Sequence, residues 1–92
     1  MTDLATTLAE RGARYGSFAD HANIAQSLQS VMRGTDSIKT NWHGLAPDMQ
    51  QALTTIADKI ARILNGDPAY VDNWHDIQGY ARLVEARLEQ VA

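Results

Sequence analysis

The sequence predicts an all-α fold, a compact four-helix bundle, and three observations carry that prediction. Apolar residues recur at three-and-four spacing almost throughout, and no segment alternates with period two. Gly12, Gly34 and Gly66 each close such a stretch, as glycine does past a helix C-terminus. Ser17, Pro47 and Asp67-Pro68 each open one.

The first helix is short. Thr2 or Asp3 can cap it, Leu4 and Leu8 lie one turn apart, and Gly12 can end it. "RGARYGSF" then reads as a loop with two glycines and two arginines. The second helix spans about 18–33. Ser17 is its N-cap, and Asp20 suits the positive end of its dipole. Phe18, Ala22, Ala25, Leu28 and Met32 form its apolar face, broadened by Ile24 and Val31. Residues 34–46 read as a loop in which Trp42 is the one large anchor, expected to dock on the core. The third helix, about 47–64, has Pro47 as its first residue, where the missing N–H costs nothing. Leu53, Ile56, Ile60 and Ile63, with Ala57 and Leu64 beside them, give its apolar face. The fourth, about 68–90, has Asp67 as N-cap. Its seam is Tyr70, Trp74, Ile77, Ala81, Val84, Leu88 and Val91. The last two helices are expected to form a central antiparallel hairpin.

Ninety-two residues make one domain, 1–92, with no room for a second core. So short a chain buries a small share of its surface, and without cysteine it has no disulfide to compensate. Association into a homo-oligomer is the expected remedy. A net charge of −3, from 11 acidic and 8 basic residues, argues against DNA, RNA or an anionic membrane as partner. A small anion needs only two or three well-placed cations and stays open. No apolar run approaches the roughly 18 residues of a membrane span. The start, MTDLATTLAERG, lacks the basic-then-apolar pattern of a secretion signal, so a cytoplasmic protein is expected.

The polar residues of the hairpin are the candidates for function. Thr55, Asp58, Lys59 and Arg62 share one face of the third helix; Asp72, Asp76, Gly79 and Leu83 form a line on the fourth, with His75 and Tyr80 at its edges. Such faces are commonly solvated surface with weak ion pairs. Three features favour a ligand instead. Gly79 inside a helix costs about 1 kcal/mol relative to Ala, which suggests close approach of a backbone or ligand. Tyr80 follows it and offers a ring for stacking or a hydroxyl for phosphate. "RGARYG" brings Arg11, Arg14 and Tyr15 between glycines whose N–H groups could turn toward an anion, and arginine grips phosphate in a fork. The expected ligand is nucleotide-sized. Arg11, Arg14, Lys59 and Arg62 would hold its phosphates, Tyr15 or Tyr80 would stack on its base, and Asp76 belongs to the same wall. His21, His43 and His75 lack zinc-site spacing, the serines lack a nucleophile elbow, and neither phosphate-loop pattern occurs.

"RGARYGSFADHANIAQSL" and "ALTTIADKIARILNGDPAYVDNWHDIQGYARLVE" resemble a family of small phage- and prophage-encoded domains of unassigned function. The shared residues are Arg11, Tyr15 and Gly16; Asn23 to Gln26; Lys59 to Ile63; and Asp72, Asp76, Gly79 and Tyr80. That family is in turn distantly similar to MazG-type nucleoside triphosphate pyrophosphohydrolases, whose facing helices carry E-x-x-E and E-x-x-D pairs that bind Mg²⁺. This chain departs from that pattern. It offers Asp58 for the first pair and Asp72 with Asp76 for the second, and Lys59 and Arg62 stand where further acids would be wanted.

The resemblance and the residues together imply three functions. The first is a phage-type protein that sequesters a cyclic-nucleotide or ADP-ribose-derived immune signal in the infected cell, without hydrolysis and without a cofactor. The second is a reduced pyrophosphohydrolase with Mg²⁺ on Asp58, Asp72 and Asp76. The third is a structural or protein-inhibiting phage protein.

Overall fold

In the computed structural model the protein is all-helical, and the structure describes residues 3–91, apart from the side chain of Val91. Thr2, one of the two candidate caps, lies outside the described residues. Among these described residues four α-helices follow in order: α1 (Leu4–Tyr15), α2 (Phe18–Arg33), α3 (Pro47–Asn65) and α4 (Val71–Val91), with one 3₁₀ turn at Trp42–Gly44. Asp3 caps α1, accepting the Thr6 N–H at 2.8 Å, and Ser17 caps α2, accepting from Asp20 at 3.2 Å.

The central element is α3. It packs against α2 on one side and antiparallel against α4 on the other, and α1 lies across one end. Two ion pairs fix the hairpin register. Lys59 Nζ sits 3.0 Å from Asp76, and Arg87 grips Asp48 with two nitrogens, Nη2 at 2.9 Å. That fork holds the Asp48 carboxyl below its ordinary 3.8. Its stabilisation is therefore complete above that value and is lost as pH falls through the lowered one. Ala25 of α2 and Ala57 and Ala61 of α3 are buried, and residues this small let two packed helices lie close. Trp42 is buried as expected and receives Gln50 Nε2 on its carbonyl at 2.9 Å.

Three expectations are corrected. The first helix does not stop at Gly12 but runs to Tyr15, so Arg11, Arg14 and Tyr15 stand on a helix and not in a loop. No Cβ-sized neighbour crowds Gly12, and one glycine is too small a penalty to break the helix. Helix four begins at Val71, not at Pro68. Asp67 spends its side chain on the Ala69 N–H, two residues on, which makes a turn and delays the helix. Third, the seam of α4 is rotated: Asn73, Ile77 and Val84 face inward, whereas Trp74, expected there, is 55% exposed. Its indole N–H instead donates to Pro68 O at 2.8 Å.

The molecule is thin. Its extents are 48 × 35 × 22 Å and its radius of gyration is 15.6 Å, against about 12 Å for a compact chain of this length.

Candidate functional site

The ends of α1 and α3 are tied together. Asp67 N donates to Arg14 O at 2.7 Å, and Asn65 Nδ2 donates to the carbonyls of both Tyr15 and Ser17 at 2.8 Å. Two glycines allow this. Gly16 has φ 77 and ψ −166, a region essentially restricted to glycine. A Cβ at Gly66 would lie 2.1 Å from Arg14 O and 2.4 Å from Tyr15 Cα. The Gly16 N–H donates to Gly12 O at 2.8 Å, so it closes the helix and is not turned toward an anion as the sequence suggested.

This tie sets Tyr15 against Arg62. The Arg62 guanidinium carbon lies 4.5 Å from the Tyr15 ring centre and that of Arg11 lies 5.7 Å from it. Beside them opens a cavity of about 390 Å³, lined by Leu8, Arg11, Tyr15, Phe18, His21 and Arg62 among others. Asp58 backs one wall. It lies 2.8 Å from His21 Nε2 and 3.5 Å from Arg62 Nε. Neither Arg11 nor Arg14 pairs with a carboxylate among the described residues. Phe18 stacks on His21 with ring centres 6.1 Å apart and planes 20° apart, and is 81% exposed. It was expected in the core. As the first residue of α2 it lies in the bend between α1 and α2 and becomes a shelf of the cavity.

The remaining predicted residues are divided. Arg14 lies over the ring of Tyr70 at 5.2 Å, and Tyr70 meets Tyr15 edge-on at 6.0 Å. The Tyr70 hydroxyl donates to Asp72 at 3.0 Å, which holds the phenol above its ordinary 10.0. Lys59 is turned toward α4, away from the cavity, by its pair with Asp76. Asp76, Gly79 and Tyr80 line a separate shallow depression with His75 and Leu83. The register that opposes Asp48 to Arg87 and Lys59 to Asp76 sets Tyr80 level with Thr55, roughly 10 Å along the helix from Arg62. The polar face predicted on helix three is therefore no single wet surface: Asp58 serves α2, Lys59 serves α4, and Arg62 serves α1.

Nor are the proposed metal ligands gathered. Asp58, Asp72 and Asp76 each answer a different neighbour, and no three His, Asp or Glu side chains among the described residues could share an ion. Gly79 faces open space, with nothing within 4 Å of an added Cβ. Gly79→Ala is accordingly expected to stabilise the isolated chain by about 1 kcal/mol. Urea denaturation checks this, and a destabilised variant would mean that something approaches Gly79 closely.

Sequence reading missed three residues. Asn65 gives no periodic signal, and only its place before Gly66 marks it as a helix end. His21 has no zinc-site spacing to mark it, and its partner Asp58 is 37 residues away. Phe18 was hidden by a pattern that equates apolar with buried.

A family model described as a domain of unknown function, DUF6378, matches residues 3–88. No curated protein and no solved structure gives a match. Among the described residues no helix is long and apolar enough to cross a membrane.

Proposed function

We propose that this chain, which belongs to the DUF6378 family of domains of unknown function, binds a nucleotide in the α1–α2–α3 cavity and holds it without hydrolysis. The observation that carries the reading is the pair of guanidiniums, Arg11 and Arg62, set on Tyr15 at the edge of that cavity. Arginine forks suit phosphate oxygens. The exposed Phe18 ring, backed by His21, offers a flat apolar shelf for a base. A volume near 390 Å³ lies within the range of small-ligand pockets. Arg14 lies one turn from Arg11, over Tyr70 and outside the lining of this cavity. Lys59, Asp76 and Tyr80 are not needed in this arrangement.

Holding is favoured over hydrolysis because the carboxylates of the Mg²⁺-dependent alternative are committed to separate partners. The phage-type resemblance of the motifs extends the proposal to sequestration of a cyclic-nucleotide or ADP-ribose-derived signal.

The test is thermal stabilisation by cyclic di- and trinucleotides, ADP-ribose and dNTPs, with and without Mg²⁺. Ligand recovered after denaturation is then examined by chromatography. At least one nucleotide is expected to raise the melting temperature and to be recovered intact. Arg62→Ala with Arg11→Ala should weaken its binding by about 10- to 100-fold, the worth of a lost charged hydrogen bond. Tyr80→Ala should leave binding unchanged. No shift with any nucleotide, or equal binding by the double variant, would sink the proposal; Mg²⁺-dependent release of monophosphate would restore the hydrolase.

A further inference from the structure

The second broad face of this thin molecule carries a row of apolar side chains, of which Leu53, Leu64, Trp74 and Leu88 are exposed and Ile60 is half-buried. At about 100° per residue, Leu53, Ile60 and Leu64 fall within a narrow arc of α3, about 180° around the axis from Arg62. Since α1 lies on the Arg62 side, it leaves this arc uncovered. Leu64 is 66% exposed and Leu53 41%. On α4, Trp74, Ala81 and Leu88 recur at intervals of seven and so form one line. The ion-paired residues Asp76 and Arg87 sit on the opposite edge of α4, toward the side of Lys59 and Arg62. The Trp74 line therefore lies on the same broad face as Leu53, Ile60 and Leu64. Across α4 the apolar spacing is that of a helix-packing seam, of which α3 covers only one flank.

Area indicates how much is uncovered. The chain exposes 6526 Å². A compact monomer of 10.1 kDa exposes about 5,300 Å². The excess, roughly 1,200 Å², exceeds the ~800 Å² that each partner buries in an interface of standard size. A face of this kind is self-complementary when two copies meet about a two-fold axis. We infer that a second copy of this chain covers the face formed by Leu53, Ile60 and Leu64 of α3 and Trp74, Ala81 and Leu88 of α4. The cavity beside Arg11 lies on the far side and stays open in the dimer.

Sedimentation equilibrium of the full chain without nucleotide tests this apart from ligand binding. The expected mass is twice 10.1 kDa at micromolar concentration. Leu64→Glu with Leu88→Glu places charge on two exposed sites and should give a monomer of unchanged helicity. Should that pair unfold, Leu64→Gln with Leu88→Gln should still raise the dimer dissociation constant at least tenfold. Leu83→Glu, 68% exposed on another side of α4, should leave the dimer intact. A monomeric wild type, a dimer that survives both double variants, or equal dissociation by Leu83→Glu would overturn the inference.

Discussion

Gly66→Ala is expected to cost about 2–3 kcal/mol and to lower the melting temperature by roughly 10–20 °C. The loss is steric. The added methyl would meet the backbone of Arg14 and Tyr15 at 2.1–2.5 Å, and backbone cannot rotate away as a side-chain tip can. The φ of Gly66 is −125, outside the left-handed region, so the cost expected here is that of the contact. Either α1 withdraws or the end of α3 bends. Both break the bond from Asp67 N to Arg14 O and misplace Asn65. The same variant should lose nucleotide-induced stabilisation, because Tyr15 no longer rests against Arg62. Calorimetry with and without ligand measures both, and an unchanged melting temperature would refute the account of the tie.

Ala61→Leu is the second large effect. Ala61 is fully buried, on the side of α3 that carries Asp58 and Asn65 toward α2. Its neighbours in the contact, Ala25 and Ala57, are also buried and small, so added methylenes find no side chain that can yield much. Overpacking of this kind costs about 1–3 kcal/mol. Urea denaturation should show a lower midpoint with an unchanged slope, the sign of a weakened but intact fold. Wild-type stability would show that α2 and α3 are not in close contact.

The fold class, the four helices and the hairpin were legible because periodicity and end signals agreed along the chain. Ser17 and Pro47 opened helices where expected, and Gly34 and Gly66 closed them. Legibility failed where one local signal competed with another. Asp67-Pro68 has the residues of a helix start, yet the Asp67 side chain serves the turn first. Gly12 has the look of a stop, but helical residues on both sides carry the helix through it.

The candidate site was legible in part. "RGARYG" and Arg62 were singled out, and the structure brings Arg11, Tyr15 and Arg62 together. What brings them together was not visible, because Asn65 and the close crossing of Gly16 and Gly66 depend on contacts some fifty residues apart. Sequence alone puts the Lys59, Asp76 and Tyr80 group on the same wall because a helical wheel gives the face of each residue. It does not give the neighbour that face meets.

The tie between α1 and α3 also sets where the molecule opens first. None of the residues of α1 is buried, and its firm hydrogen bonds to the rest of the protein lie at its C-terminal end. Its amide protons should therefore exchange along a gradient, fastest near Leu4 and slowest near Tyr15, at free energies well below that of global unfolding. Leu8 and Arg11 lie partway along that gradient and form one wall of the cavity. The wall is tied at one end only, so a ligand that bridges Arg11 to Arg62 would also select the docked form of the helix. Its apparent affinity is then the intrinsic one reduced by the fraction of time the helix spends open.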